Sequence, residues 1–253
     1  SKGVEILEPE SGFLACGYLG KGRLCSIEKI YNETVEALNY SQKLAGKKVV
    51  ITSGGTIEDI DPVRYISNYS SGKMGFALAN VAKDMGAEVV LITTKNFEAP
   101  YKIVKVKSAL DMQKAVEDEF EAADIVIMAA AVADYRVKNQ AEQKMKKFAG
   151  ENEILTLELV QNPDILKGLC ETKTHQLVVG FCAESENLLE NAKEKIAKKG
   201  CDYLIANDIS RSDIGFSSDD NEVTILEKSG KIEKLEKASK KVIARKILEK
   251  ITE

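Results

Sequence analysis

Between residues 47 and 95 the apolar positions come in short solid runs instead of alternating. KVVITS and EVVLITT are apolar on both faces. Between them FALANVAKDMG repeats every three to four residues, and Gly86 stops it. The same order then recurs. SALDMQKAVEDEFEAA reads as a helix, with Ser108 placed to cap it and Asp111 three residues on, a weak capping box. DIVIMAAAVADY reads as a third strand, ILTLELV as an alternating strand and NPDILKGLCETK as a short helix. QLVVGFCAE, NLLENAKEKIAKKG and DYLIAND add strand, helix, strand. Strands apolar on both faces and alternating with helices build a parallel sheet. The pattern therefore predicts an α/β fold, a Rossmann-like doubly wound and mainly parallel sheet. NEVTILEKSGKIEKL adds a β-hairpin turning at Ser-Gly, and SKKVIARKILEKI closes the chain as an amphipathic helix.

Two stretches break this rhythm. In residues 1–45, GFLACGYLGKGRL carries four glycines and reads as a loop, and SIEKIYNETVEALNY has a helical period at Ile27, Ile30, Tyr31, Val35 and Leu38. That head is too small to own a core, so it reads as the tail of a preceding domain with a linker helix, and 46–253 as the main domain. The second break, YRVKNQAEQKMKKFAGEN, is a polar, Lys-rich loop of 18 residues. Loops of that length are uncommon and often functional. In open parallel sheets ligands sit at the carboxyl ends of the strands. Those ends are Thr52 to Thr56, Ala129 to Asp134, Phe181 to Glu184 and Ala206 to Asp208. With the long loops they are expected to converge on one crevice.

Composition narrows the function. Thirty-six basic against 40 acidic residues leave a net charge of −4 and no electrostatic footprint for nucleic acid. No apolar run approaches the roughly 20 residues of a membrane span, and no signal-peptide pattern opens the sequence. Cys16, Cys25, Cys170, Cys182 and Cys201 form no CxxC, and with the single His175 they argue against zinc. Reduced thiols in a cytoplasm fit this usage.

The candidate chemistry gathers at the strand ends. In SGGT, Gly54 and Gly55 permit close approach of backbone to a ligand, the alternative being a plain tight turn. A dinucleotide fingerprint would lead straight into a helix. Here 20 residues lie between Gly55 and Phe76, and the second strand ends in TTKN without the acidic ribose partner. A NAD(P) oxidoreductase is thereby disfavoured. SSGKMG, with Ser70, Ser71, Gly72 and Lys73, lacks Walker spacing, and Met74 stands where a Mg²⁺-binding hydroxyl belongs. The physics survives without the motif, because helix N-terminal N–H groups, two hydroxyls and an ammonium make a phosphate cradle. Arg64 and Asn68 suit recognition of a carboxylate or phosphate, against the plainer reading of an Arg64–Asp61 ion pair on a surface loop. AAAVAD brings small residues to a strand end, where Asp134 either holds Mg²⁺ on a phosphate or caps a helix. Lys144, Lys146 and Lys147 are either a solvated run or a lid over a triphosphate. Asp164 reads as a first-turn acid, Lys195 and Lys199 as a surface pair, and Cys170, Cys182 and Cys201 as packing.

Taken in order, KKVVITSGGTIEDIDPVRYISNYSSGKMGFALA, AAAVADYRV, KMKK, LVQNPDIL, VVGFCAE and DYLIANDI resemble bacterial phosphopantothenate–cysteine ligase. That is the synthetase half of a bifunctional coenzyme A biosynthesis protein. The resemblance covers about residues 46–253, and its motifs are specific. PESGFLACGYLGKGRL is similar to the C-terminal substrate clamp of the partner half, the flavin-dependent phosphopantothenoylcysteine decarboxylase. The FMN-binding body of that half has no counterpart in the sequence. FMN is therefore implied only for the missing half, and Cys16, which matches its catalytic acid, is expected to be idle.

The resemblance implies that CTP, with Mg²⁺, activates the carboxylate of 4′-phosphopantothenate as an acyl-cytidylate. The amine of L-cysteine then displaces CMP. It further implies that Asn68 holds the acyl-nucleotide for attack, that Arg64 supports the acid substrate and its phosphate, and that Lys144 serves nucleotidyl transfer. Met128, Ala129, Ala130, Asp134, Pro163, Asp164, Ile165, Leu166, Phe181, Lys195 and Lys199 match nucleotide contacts, with Ala131 assigned to the acid substrate and Asp134 to the metal. The family is dimeric, and the hairpin segment and the loop after Asp134 are the expected interface. The rival from another class is a non-catalytic nucleotide-binding or assembly domain, which would release no pyrophosphate.

Overall fold

The computed structural model describes residues 7, 9–13, 17–27, 29–31, 34, 42–146, 154–184, 186–208 and 218–253. It divides into two units, Ser1–Ser41 and Gln42–Glu253. In the first, β1 (Glu10–Phe13) and β2 (Leu19–Arg23) pair antiparallel, with Gly12 opposite Gly20. The expected glycine loop is thus a hairpin. The glycines misled because Gly12 and Gly20 serve the ladder, while Gly17, at φ 84°, takes the left-handed conformation between the strands. Residues 27, 29–31 and 34 are helical, as the period predicts.

The second unit is built on eight strands in the order β14-β13-β12-β11-β8-β3-β6-β7. The parallel strands are β3 (Lys48–Ser53), β6 (Glu88–Thr93), β7 (Lys102–Lys105), β8 (Ile125–Met128), β11 (Leu177–Glu184) and β12 (Tyr203–Asp208). The hairpin β13 (Asp220–Glu227) and β14 (Ile232–Ser239) extends it antiparallel. Val49, Val50, Ile51, Val126 and Ile127 are fully buried, as strands covered on both faces must be. One layer holds α1 (Lys73–Asp84) and α5 (Lys240–Ile251), whose Leu78, Val81, Ile243 and Ile247 share a core cluster with Ile51 and Leu91. Against Val50, Val90 and Val126 pack Met112 and Val116 of α2 (Ala109–Phe120) and Ile165 and Leu169 of α3 (Ile165–Thr172). Ala192 and Ile196 of α4 (Leu188–Lys199) pack on Val178 and Leu204. The capping box on α2 is complete, with Ser108 and Asp111 satisfying each other's N–H groups. No helix among the described residues is long and apolar enough to cross a membrane.

Other differences from the sequence reading have local causes. The third strand stops at Met128, because Ala129 N–H turns back to the Ile127 carbonyl at 3.2 Å and the chain leaves the ladder. ILTLELV forms a strand only at β10 (Leu159–Gln161), paired with β9 (Tyr135–Val137) in a separate ribbon. Its alternation faces no core, and Ile154 is exposed. A second ribbon, β4 (Ile57–Asp61) with β5 (Arg64–Ser67), fills what read as loop. Asp61 makes that turn, its Oδ1 accepting the N–H groups of Val63 and Arg64 at 2.9 Å each.

Candidate active site

From β3 the chain winds outward to β6 and β7, then returns through α2 to β8 on the opposite side of β3. That reversal opens a crevice at the carboxyl ends of β3 and β8. A cleft of about 640 Å³ lies there, bordered by Asn68 to Gly75, Met128 to Asp134, Gln161 to Leu166 and Phe181 to Ala183. Its size suits a nucleotide-like small molecule.

The first wall is the start of α1. Gly72 is its N-cap at φ 77°, contributes no side-chain cap, and no acid follows in the first turn. Ser53 Oγ donates to the Gly72 carbonyl at 2.8 Å. A Cβ on Gly75 would stand 2.7 Å from both Ser53 Cβ and the Thr52 carbonyl oxygen. Only glycine lets this helix start so close to the strand end. Ser70, Ser71, Gly72 and Lys73 all border the cleft, with Lys73 Nζ 2.6 Å from Asp219 Oδ1. Gly54 and Gly55 do not border it. They lie behind the wall, where a Cβ on Gly54 would meet Thr94 Oγ1 at 2.2 Å and one on Gly55 the Asn68 carbonyl oxygen at 2.5 Å.

Asn68 borders the cleft and donates through Nδ2 to the Val132 carbonyl at 3.1 Å. Arg64, four residues earlier, does not border it. Its guanidinium grips the buried Asp61, with Nε at 3.0 Å, and donates to the Met145 carbonyl at 2.9 Å. Met145 N–H in turn donates to Asp61 Oδ2 at 3.1 Å. The Arg64 guanidinium holds the Asp61 carboxyl well below the usual carboxylate range, against the opposing effect of burial and with the help of three backbone N–H groups. So the plain Arg64–Asp61 ion pair is present, and it also fastens the segment carrying the exposed Lys144. Lys147 and Cys16 lie outside the described residues.

The opposite wall is tied to the first. Ala130 N–H donates to Thr52 Oγ1 at 3.1 Å and Ala131 N–H to the Gly54 carbonyl at 2.9 Å. Asn162 Nδ2 donates to the Ala133 carbonyl at 2.8 Å. Met128, Ala129, Ala130, Ala131 and Asp134 line the cleft, and Asp134 caps no helix. Pro163, Asp164, Ile165 and Leu166 line it from the start of α3, which Asp164 caps through Lys167 N–H at 3.1 Å. Phe181 borders it from β11. Lys195 and Lys199, one turn apart on α4, both line the cleft, where composition alone suggested a solvated face. Lys195 pairs with Glu184 at 2.5 Å and Lys199 with Asp164. Burial pushes the Cys182 and Cys201 thiols up to about 11 and Cys170 to about 12, so these behave as packing groups and not as nucleophiles.

Among the described residues no cluster of three His, Cys, Asp or Glu could hold a metal alone. Asp134, exposed on the cleft wall, suits a cation such as Mg²⁺ held chiefly by phosphate oxygens. Asn207 borders the cleft from the Ala206 to Asp208 strand end expected there, whereas Asn221 and Lys240, which also border it, were missed by the sequence reading. Lys240 left a readable trace, three and four residues before Ile243 and Ala244 on the stripe that α5 buries.

The family described as the DNA/pantothenate metabolism flavoprotein C-terminal domain matches residues 44–253. This chain belongs to that family. Two members that are similar across nearly all of it are the coenzyme A biosynthesis bifunctional proteins CoaBC of Bacillus subtilis, 44% identical over 98% of this chain, and of Haemophilus influenzae, 41% identical over 100%. The chain spans 62% and 63% of their respective lengths. A solved structure of the C-terminal domain of CoaBC is 40% identical, with a TM-score of 0.70 over 84% of this chain and 97% of that one. A Cab2 mutant, 18% identical at a TM-score of 0.66, shares the fold. In this DNA/pantothenate metabolism flavoprotein C-terminal domain, residues of the SNYSSGKMG, AAAVAD, QNPDIL, FCA and Asn207 stretches border the cleft, with Gly54 and Gly55 packed behind it.

Proposed function

We propose that the chain joins 4′-phosphopantothenate and L-cysteine into 4′-phosphopantothenoylcysteine, using CTP and an acyl-cytidylate intermediate, as a step of coenzyme A biosynthesis. One observation carries the reading. Asn68, the α1 cradle and the Met128–Asp134 wall meet in a single cleft at the switch point, beside Lys195 and Lys199. The names of the CoaBC relatives support the pathway.

A free carboxylate is a poor electrophile, so it must first acquire a leaving group. Its oxygen attacks the α-phosphorus of CTP, the bond to the β-phosphate breaks, and pyrophosphate departs. The α1 cradle and Lys73 hold the phosphates, and Lys144 supplies a further cation as charge builds on the leaving oxygens. Mg²⁺ bound by Asp134 and the phosphates would neutralise part of that charge. The neutral amine of cysteine then attacks the acyl carbon, CMP leaves with the bonding pair, and the nitrogen gives up one proton to water. Asn68, anchored on the Val132 carbonyl, steadies the mixed anhydride during this second step. Ala131 and Arg64 are assigned to the acid substrate, the remaining cleft residues to the nucleotide. The working unit is read as a homodimer in the cytoplasm.

The deciding experiment incubates the protein with phosphopantothenate and cysteine while the nucleotide is varied, and scores pyrophosphate, CMP and AMP. CMP and pyrophosphate formed with amide product support the reading. A protein that binds CTP but releases no pyrophosphate is a binding module instead.

A further inference from the structure

Lysine opens the buried face of α5, ahead of Ile243, Ala244, Ile247, Leu248 and Ile251. Lys240 is only 7% exposed, yet it borders the cleft. Packing alone would favour an aliphatic residue there, since lysines are almost never buried without a polar partner. Its ammonium donates to the Ser218 carbonyl, and its backbone N–H to the Asp219 carbonyl at 2.9 Å. Lys73, the first residue of α1, reaches the carboxylate of the same Asp219. Burial, and then the neighbouring charge of Lys73, hold the Lys240 ammonium below its ordinary value. Two lysines at the heads of two packed helices are therefore brought together beside one acid, Asp219, whose side chain is 88% exposed.

We propose that Lys240 and Lys73 together bind the pyrophosphate end of the nucleotide, with Asp219 releasing Lys73 as the phosphate arrives. The inference rests on the ligase reading above and assigns its leaving group. When the carboxylate oxygen bonds to the α-phosphorus, the bridging oxygen keeps the electron pair of the broken bond. The departing β,γ unit thereby gains one negative charge, and no proton moves. Ammonium groups touching those oxygens bind more strongly as the charge develops, which is the condition for lowering the barrier. Handing Lys73 over is inexpensive because Asp219 returns to water, and exposed ion pairs contribute little.

The two half-reactions separate this role from a structural one. Pyrophosphate release from CTP and phosphopantothenate is measured in one, and amide formation from supplied acyl-cytidylate and cysteine in the other. Lys240→Met is expected to slow the first by about 10²–10³-fold and leave the second unchanged. It should also weaken binding of inorganic pyrophosphate by about tenfold or more. Lys240→Arg restores most of the loss. Asp219→Asn, a surface change, is expected to tighten inorganic pyrophosphate by about two- to fivefold. Equal effects of Lys240→Met on both halves, or none on either, overturn the proposal, as does an unchanged pyrophosphate affinity in Asp219→Asn. If the unaltered protein releases no pyrophosphate, the ligase reading fails, while direct pyrophosphate titration still decides the lysine pair.

Discussion

Replacing Gly55 by alanine probes the catalytic reading through geometry alone. Gly55 is not among the glycines with positive φ, so alanine meets no backbone strain there. The new Cβ would nevertheless stand 2.5 Å from the Asn68 carbonyl oxygen and 3.3 Å from Ser67 Oγ. Ordinary contact begins at 3.4 Å, so the carbonyl must retreat by 3.4 − 2.5 = 0.9 Å. Gly55 itself is pinned. It bridges to Ala131, whose N–H reaches the Gly54 carbonyl at 2.9 Å and whose carbonyl accepts from Thr56 N–H at 3.2 Å. Asn68 lies on the exposed segment after β5 and is the side that yields. A reacting group displaced by about 1 Å commonly costs about 10²-fold in rate. Amide formation from supplied acyl-cytidylate is therefore expected to fall by about that factor, and pyrophosphate release by less. Overpacking should also lower stability by about 1–3 kcal/mol, read from denaturant unfolding. A folded Gly55→Ala protein that forms amide at the original rate would refute the placing of Asn68 beside the reacting carbonyl.

Gly168 sits exposed within α3, and a Cβ added there would meet no heavy atom within 4 Å, so Gly168→Ala is expected to add about 0.5–1 kcal/mol of stability at unchanged turnover. Lys144→Gln should slow pyrophosphate release by about 10²–10³-fold, and unchanged release would make Lys144 a bystander. Asp61→Asn tests the clasp on the Met145 segment. Because Arg64 holds the folded carboxyl below its unfolded value of about 3.9, the clasp contributes stability fully above that pH and loses it as pH falls toward the folded value. The melting-temperature gap between the original protein and Asp61→Asn should thus persist at neutral pH and shrink in acid, and a gap that widens in acid would contradict the sign. At pH 8 a thiol raised to about 11, as at Cys182 and Cys201, is only about 10⁻³ ionised. Iodoacetamide should label the fully buried Cys201 far more slowly than it labels the unfolded chain, by mass spectrometry, and rapid native labelling would mean that this thiol is not buried as described.

Much of the architecture was legible because most of the parallel strands carry their own burial in their composition, and β7, a half-exposed KIVK at the sheet edge, was missed because it does not. KVVITS, EVVLIT and LVVGFCAE need no partner to be recognised. The ribbons β4–β5 and β9–β10 were not legible by period, because what β4 buries are two acids three apart, Glu58 and Asp61, and β10 is exposed along its length. Glycine count also misled at β1–β2, where two glycines face each other across a ladder. In the site, the segments after the strands were readable as cradle chemistry. Lys195 and Lys199 were not separable from a surface pair by spacing, because i,i+4 lysines look the same whether they face water or a cleft. Lys240 was missed for the opposite reason. It occupies an apolar position in the α5 stripe, and a lysine at a helix start reads as unremarkable until the helix packs beside α1.

The acids facing these cations sort them by what a phosphate can take from them. Lys73 is neutralised by Asp219, whose side chain is 88% exposed, and Lys199 by Asp164, at 36%. Displacing either acid returns a carboxylate to water at little cost. Lys195 is neutralised by Glu184, only 12% exposed, and Arg64 by Asp61, which is fully buried. Removing those cations would strand a buried negative charge, a penalty of several kcal/mol that one phosphate contact does not offset. Lys73 and Lys199 are therefore the cations able to leave their acids for the nucleotide. Lys195 can contribute only while keeping Glu184, and Arg64 only while keeping Asp61. The same reasoning explains why the cleft carries so many lysines at little electrostatic strain. Until a ligand arrives Lys73 and Lys199 are each paired with an acid, and for these two binding exchanges one oxyanion for another.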